Sequence, residues 1–168
     1  MRQYIPSPAG RQRFNVLGAL NAVTHQMIVV TNDTYINAGS VVELLVEIVK
    51  SVAKDGTHLL PITLAMDNAR YQKCQLVEDA VGILNTHYGL SIELLFLPAY
   101  SPNLNLIERY WRFVKSRALD SRYYRNFALF KQAILRCILE PDALQKHDLE
   151  TLLTWNFQSF RKVHVLTG

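Results

Sequence analysis

The segment from Leu94 to Lys115, LLFLPAYSPNLNLIERYWRFVK, constrains the fold most, because three kinds of local structure follow one another within it. It begins with an apolar run, 94–97, which is long enough for a buried strand. Two prolines and two asparagines then predict a loop over 98–105. An amphipathic helix follows, and its apolar face is formed by Leu104, Ile107, Trp111, Val114 and Ala118.

Glu108 lies at the edge of this apolar face, and two interpretations of it are open. A carboxylate just after a strand and a rigid loop is placed where a metal ligand can lie. Alternatively, Asn105 and Glu108 have the spacing of a capping box, in which the Glu108 side chain bonds the backbone at the helix start. Spacing alone favours the capping box.

The segment LPAYSPNLNLIERYW resembles the signature of the DDE transposases of the mariner-like superfamily, in their bacterial insertion-sequence branch. That signature reads L-P-x-Y-S-P-D-L-N-P-I-E-x-x-W. A second segment, Met66-Asp67-Asn68-Ala69-Arg70, is similar to the family's D-N-A-x-x-H, whose Asp is a catalytic metal ligand. The resemblance covers roughly 15–119. The sequence departs from the family patterns, which have Asp, Pro and His, at Asn103, Leu106 and Gln72.

The resemblance implies that Asp67 and Glu108 are the second and third members of a catalytic Asp-Asp-Glu triad. It also implies two Mg²⁺ or Mn²⁺ ions, one activating the attacking water or 3′-hydroxyl and the other stabilising the leaving oxygen. Carboxylate oxygens are the ligands that Mg²⁺ prefers. Two carboxylates can hold one ion, whereas bridging two ions normally takes the third. The implied supporting loop consists of Asn68, Tyr100, Ser101, Pro102 and Asn105.

Asp67 is also well placed on physical grounds, because it follows the apolar run 59–66. An apolar run with little alternation between two helical patterns indicates a buried, interior parallel strand. In open α/β sheets, ligands bind outside the carboxyl ends of such strands. The alternative is that Asp67 or Asn68 caps the following helix, which is the commoner role of such a pair.

Hydrophobic periodicity predicts the order strand, strand, helix, strand, helix, strand, helix and then further helices. The first two strands, 14–22 and 26–31, are expected to form an antiparallel hairpin. A helix opened by a capping box of Ser40 and Glu43 follows them. The remaining predicted elements are a strand at 59–66, a helix at 69–87 that is stopped by Gly89, a strand at 90–97, the helix that carries Glu108, and helices at 122–139 and 143–160. In the helix at 69–87, the residues expected to face inward are Leu76, Val77, Ala80, Val81 and Leu84.

This order resembles the ribonuclease-H-like fold of DDE enzymes, an α/β fold with a mixed sheet flanked by helices, here with C-terminal helices appended. In the family the first strand is central and carries the first Asp. We expect that strand to be missing, because no Asp precedes Asp33. The predicted organisation is a flexible arm at 1–13, a truncated catalytic domain at 14–119 and a C-terminal helical extension at 120–168.

Basic residues cluster after Glu108 and predict a contact with nucleic acid. The range 109–136 contains eight basic residues and a single acidic residue, Asp120. Aromatic residues are interleaved with the basic ones. Such a surface suits a phosphate backbone. The alternative is a solvated helix face whose aromatic residues belong to the core, and the charge pattern by itself favours that alternative. The residues expected to bind DNA are Arg109, Arg112, Lys115 and Arg117.

Composition excludes several other classes of protein. No apolar run approaches the roughly 18 residues of a membrane span, and 1–14 has no apolar segment typical of a secretory signal. Cys74 and Cys137 are isolated, which argues for a reducing compartment. Together with the resemblance to bacterial insertion-sequence transposases, this implies the bacterial cytoplasm, at the nucleoid, as the expected location. Serine and cysteine nucleophile schemes lack partner residues, and there is no glycine-rich phosphate loop.

The sequence thus predicts the catalytic portion of a DNA transposase, acting on transposon ends and target DNA and inactive as this chain alone. The expected protein partners are a second copy of the chain in a homodimer or the product of an upstream reading frame. The alternative is a non-catalytic DNA-binding or accessory fragment. A third interpretation, a ribonuclease or Holliday-junction nuclease on the same fold, is disfavoured by the segment SPNLN at 101–105.

Overall fold

The computed structural model describes residues 12–55, 61–98 and 105–154. Their elements follow the predicted order, which confirms the α/β class and is consistent with a ribonuclease-H-like domain. The elements are β1 (Asn15–Leu20), β2 (Met27–Asn32), α1 (Ala38–Asp55), β3 (Ile62–Met66), α2 (Gln75–Tyr88), β4 (Ile92–Phe96), α3 (Leu106–Val114), α4 (Phe127–Leu139) and α5 (Ala143–Leu152). A π-helical turn, Lys115–Leu119, continues α3.

The four described strands form two separate sheets of two strands each. β1 and β2 make the expected antiparallel hairpin, with Leu17 opposite Val30. β3 and β4 pair in parallel, with Ala65 opposite Leu95. β3 therefore has one strand partner among the described residues, whereas the sequence predicts an interior strand.

Both faces of the hairpin are at least partly covered, and alternate residues of each strand pack on different cores. One face packs on Leu44 and Ile48 of α1. The other packs on the core formed by α3, α4 and α5. The hairpin residues toward α1 include Leu17, Ala19, Ile28 and Val30, and those toward the other core include Val16, Leu20, Met27 and Val29.

The two sheets lie side by side on α1. Leu17 of β1 also packs on the core that α1 and α2 form with β3 and β4, whereas no residue of β2 does. Conversely, Leu64 of β3 packs on the core between α1 and the hairpin, and no residue of β4 does. The order across α1 is therefore β2, β1, β3, β4, and the neighbouring edges of β1 and β3 are unpaired among the described strands.

β3 is less buried than the sequence predicts. Ile62, Leu64 and Met66 face α1 and α2, while Thr63 and Ala65 between them are exposed. On the same outer face, Leu95 of β4 is 53% exposed. The prediction of a fully buried strand was wrong for this structure, because one face and one edge of β3 are uncovered within the described residues.

The starts of two helices differ from the sequence prediction. Asn37, not Ser40, caps α1: its Oδ1 accepts a hydrogen bond from the Ser40 backbone N–H at 3.0 Å. α2 begins at Gln75, because 69–74 forms turns. Leu76, expected to face inward, is 55% exposed. The stop at Gly89 is confirmed, since Gly89 adopts φ 63° at the C-cap, a conformation that favours glycine.

The C-terminal helices build a second core around Tyr110, which is 2% exposed. The Tyr110 hydroxyl donates to the Ile138 carbonyl oxygen at 3.1 Å and so joins α3 to the end of α4. α4 starts at Phe127, later than predicted, because Asn126 caps it. Within the described residues α5 ends at Leu152, and no helix there is long and apolar enough to cross a membrane.

The burial of Tyr110 predicts a loss of stability in alkali. Burial raises the pKa of Tyr110 to about 12, and the neighbouring Cys137 acts in the same direction. In the unfolded chain the Tyr110 phenol ionises at about pH 10. A pH above this value therefore favours unfolding. We expect the contribution of neutral Tyr110 to be complete below about pH 10 and lost toward pH 12, a change of about 2–3 kcal/mol. Urea unfolding across this pH range measures it.

Two phenylalanine substitutions provide the comparison. Tyr110→Phe should remove most of this alkaline loss, and at neutral pH it should lower the free energy of unfolding by about 0.5–1.5 kcal/mol through the lost hydrogen bond. Tyr123→Phe, at a residue that is 51% exposed, should change neither quantity. An alkaline loss in Tyr110→Phe as steep as in the unsubstituted chain would contradict the assignment.

Candidate active site

Asp67 lies at the carboxyl end of β3, with an exposed side chain. The parallel pairing continues one step past the strand, since the Leu97 backbone N–H donates to the Met66 carbonyl oxygen at 2.8 Å. Asn68 then closes this end of the sheet, because its Nδ2 donates to the Leu97 carbonyl oxygen at 2.6 Å. The turn that follows β3 is thereby fixed on β4, with Asp67 at the sheet edge where ligands bind in α/β folds.

Asn105 joins this sheet end to α3. Its side-chain Oδ1 accepts from the Ile107 backbone N–H at 3.3 Å, which makes Asn105 the N-cap of α3. Its Nδ2 donates to Asp67 Oδ1 at 3.2 Å. Glu108, half-buried in the first turn of α3, bonds Asn105 through its backbone: the Glu108 N–H donates to the Asn105 carbonyl oxygen at 3.2 Å. Asn105 therefore links Asp67, through its side chain, to the first turn of α3, which carries Glu108.

The structure argues against the capping interpretations of these residues, whereas their role as metal ligands stays a prediction. Asn105 is a helix cap, but among the described hydrogen bonds none joins its backbone N–H to the Glu108 side chain, so the capping-box interpretation does not hold there. By contrast, both bonds of a capping box are present between Asp142 and Gln145 of α5. Neither Asp67 nor Asn68 caps α2, whose N-cap is Cys74.

The donor atoms at this site suit a hard divalent cation. The carboxylates of Asp67 and Glu108 are oxygen ligands of the kind that Mg²⁺ prefers, whereas the amide oxygen of Asn105 is used in capping α3. Within the part of the chain that the structure describes, no group of three or more His, Cys, Asp and Glu residues could hold a metal. Asp33 is engaged elsewhere, since it forms a 2.7 Å ion pair with Lys131 of α4. Two carboxylates fit one ion.

The structure describes some residues of the expected supporting loop and not others. Tyr100, Ser101 and Pro102 lie outside the described residues. The hydrogen-bond partners of Asn68 and Asn105 could not be predicted from local patterns, because these bonds span 29 and 38 positions of the chain. Gln72, in the turn after Asp67, has a buried Oε1 atom that accepts no hydrogen bond among the described residues.

Two of the expected DNA-binding residues bond to α5 or to the residues just after it. Arg109 donates to the carbonyl oxygens of Leu152 at 3.3 Å and Thr154 at 3.0 Å, at the end of α5. Arg117 forms a salt bridge with Asp148 of α5. Arg112 and Lys115 are exposed, and neither takes part in the salt bridges of the described residues. The DNA contact stays a prediction for all four, and the geometry favours Arg112 and Lys115.

The aromatic residues interleaved with these charges belong largely to the core. Tyr110 and Phe113 are buried in the core around α3. Lys131 lies over the rings of Phe127 and Phe14, at 5.3 and 5.5 Å from their centres, and so covers apolar surface. The core position expected for the aromatic residues is therefore confirmed for Tyr110 and Phe113. Those of the eight basic residues that are exposed and in no described salt bridge are Arg112, Lys115, Arg122, Arg125 and Arg136.

A family model described as DDE superfamily endonuclease matches residues 1–131, more than half of the chain. The chain belongs to this family. The match includes both sheets, Asp67, Glu108 and the start of α4. A comparison with curated proteins found no match. DDE endonucleases act on DNA and generally use divalent metal ions, in keeping with the oxygen ligands around Asn105.

Proposed function

We propose that this chain is the catalytic-domain portion of a DNA transposase of the mariner-like superfamily, bacterial insertion-sequence branch. Its chemistry is metal-dependent cleavage and transfer of DNA strands at transposon ends and target DNA. The observation that supports this most is the hydrogen bond from Asn105 to Asp67, which brings a strand-end carboxylate beside the helix that carries Glu108. The family match covers both residues.

Each residue of the site then has a definite task. Asp67 and Glu108 would hold one Mg²⁺ or Mn²⁺ ion; in a complete site with two ions, the metals would supply activation of the attacking oxygen and stabilisation of the leaving oxygen. Asn105 orients the Asp67 carboxylate by donating to Oδ1, so that the other oxygen is directed away from the amide. Arg112 and Lys115 bind the phosphate backbone, because they are exposed on the helix that carries Glu108.

A further strand completes the sheet in this proposal and brings the third carboxylate. The support for it is the unpaired edges of β1 and β3, which neighbour each other on α1. Unpaired edges attract another strand, and isolated two-stranded pairs are marginally stable. A strand parallel to β3 would end beside Asp67. Its source in this proposal is a separate polypeptide, the product of an upstream reading frame.

A non-catalytic DNA-binding or accessory fragment is the second candidate. The observation that favours it is the pair of carboxylates where the proposed chemistry uses three, together with the exposed basic residues after Glu108. This candidate requires DNA affinity but no metal site at Asp67. The two candidates therefore differ in metal binding and agree in DNA binding.

Neutralising Arg112 and Lys115 should weaken the salt dependence of DNA binding. Each phosphate contact contributes about 0.9 to the slope of log affinity against log salt. We expect the double substitution Arg112→Gln, Lys115→Gln to reduce that slope by about 1–2. Fluorescence anisotropy with a labelled DNA duplex, in metal-free buffer at several salt concentrations, measures it.

Two control variants make this test specific. Lys50→Gln removes a positive charge from α1, in the opposite helical layer, and should leave the slope unchanged. Glu108→Gln should also leave metal-free DNA affinity roughly intact, because its proposed partner is a cation. If Glu108→Gln weakened metal-free binding as much as the double substitution, the ligand role of Glu108 would be wrong.

A further inference from the structure

Gly18 of β1 lies directly beneath Trp111 of α3. Gly18 is paired with Val29, and its Cα faces the core formed by the C-terminal helices. A Cβ at this position would lie 2.8 Å from Met27 Cε, 2.9 Å from Trp111 Cζ2 and 3.0 Å from Trp111 Cη2. Non-bonded carbon atoms prefer about 3.5–4.0 Å. The close approach of the indole ring therefore requires a glycine.

This contact sets the distance between α3 and the hairpin near Glu108. Trp111 follows Glu108 by three positions, so the two side chains are neighbours on the helix surface. The first turns of α3 are thus held at two points: Asn105 bonds Asp67 at 3.2 Å, and Trp111 rests on Gly18. The Met27 methyl ends a flexible side chain and can move aside. The indole ring is rigid, so a side chain at position 18 would push α3 outward by about 0.5–1 Å to restore normal carbon contacts.

We propose that Gly18 is a positioning residue for Glu108. Its missing side chain lets Trp111 sit directly on β1, and this holds Glu108 at the depth where it can share one ion with Asp67. The inference rests on the proposed metal-binding role of the two carboxylates. A displacement of about 1 Å at a reacting group can lower a rate on the order of 10²-fold, so a shift of this size matters.

The test is Mn²⁺ affinity of the folded chain, measured from the electron paramagnetic resonance signal of free Mn²⁺. Circular dichroism establishes a temperature at which every variant is folded. Gly18→Ala should bind Mn²⁺ about 10–100-fold more weakly, as for loss of other residues that orient metal ligands. Trp111→Phe removes the two ring atoms that approach Gly18. Adding it to Gly18→Ala should restore affinity to within about threefold of the unsubstituted chain, the coupling expected of residues in contact.

Controls separate positioning from folding and from the site itself. Gly82→Ala on α2, where a Cβ meets nothing within 4 Å, should leave affinity unchanged. If Asp67→Asn leaves Mn²⁺ binding unchanged, the proposed function is wrong. If Asp67→Asn abolishes binding but folded Gly18→Ala retains full affinity, the positioning role alone is wrong.

If Gly18→Ala does not fold, the comparison of Trp111→Phe with the double variant tests the same contact. Trp111→Phe alone should also weaken Mn²⁺ binding, because it leaves space above Gly18. Introducing Gly18→Ala into Trp111→Phe should then strengthen binding by filling that space. Unchanged or weaker binding in the double variant would overturn the inference.

Discussion

Residues 1–168 alone are expected to give no Mn²⁺-dependent nicking or strand transfer on a pre-cleaved transposon-end duplex. The reason is the number of carboxylates. Among the side chains that the structure describes, no three His, Cys, Asp or Glu residues converge with a metal-binding geometry. A missing metal ligand removes several kcal/mol of transition-state stabilisation, which is on the order of 10³-fold in rate.

The assay compares the unsubstituted chain with Asp67→Asn across a range of Mn²⁺ concentrations. Equal traces of cleavage in both would identify a contaminating nuclease and leave the expectation standing. Robust turnover that disappears in Asp67→Asn would contradict it, because another residue would then fill the place of the third carboxylate.

Glu108→Gln is expected to weaken Mn²⁺ binding at the site by at least about 10–100-fold, since replacing a residue that merely orients a ligand already has an effect of that size. The substitution keeps the size and the hydrogen-bonding capacity of the side chain but removes its charge. The first turn of α3 should stay folded, because Asn105 caps it through Ile107 rather than through the Glu108 side chain. Electron paramagnetic resonance of free Mn²⁺ measures the affinity, and the helical circular dichroism signal verifies the fold.

Glu93→Gln is the matched control for this substitution. Glu93 is exposed on β4, paired with Thr63 near the amino ends of the two strands, whereas Asp67 follows their carboxyl ends. It should retain full affinity. A loss in Glu93→Gln equal to that in Glu108→Gln would mean that Mn²⁺ responds to net charge rather than to a site.

Periodicity predicted the elements well because each carries its own signal. The alternation in the hairpin and the spacing of Val77, Ala80, Val81 and Leu84 in α2 are local, and all four of these helical residues are buried. The start of α2 was predicted too early, because a pattern does not show that 69–74 turns back on itself first. For Glu108 the spacing favoured a cap, and only the folded structure directs the Asn105 side chain to Ile107 and Asp67.

The remaining features depend on contacts between distant parts of the chain. No local pattern indicates that Arg109 will bond the carbonyl oxygens at the end of α5, or that Gly18 will lie under an indole ring ninety-three positions later in the chain. The π-helical turn at Lys115–Leu119 is likewise invisible in the spacing. The family signature gives the identity of the carboxylates, whereas their surroundings come from packing.

The two carboxylates of the proposed site lie on elements of different hydrophobic cores, two of the three in the described residues. Asp67 follows a strand that belongs to the core of α1 and α2, while Glu108 belongs to a helix of the core around Tyr110. Such cores can open as separate cooperative units with different free energies. The two carboxylates thus lie on either side of the boundary between these two cores. Within the described residues, the Asn105 side chain links the two sides directly. A cation bound by both Asp67 and Glu108 would link the two cores. Local opening of either core would then first change the coordination of that cation.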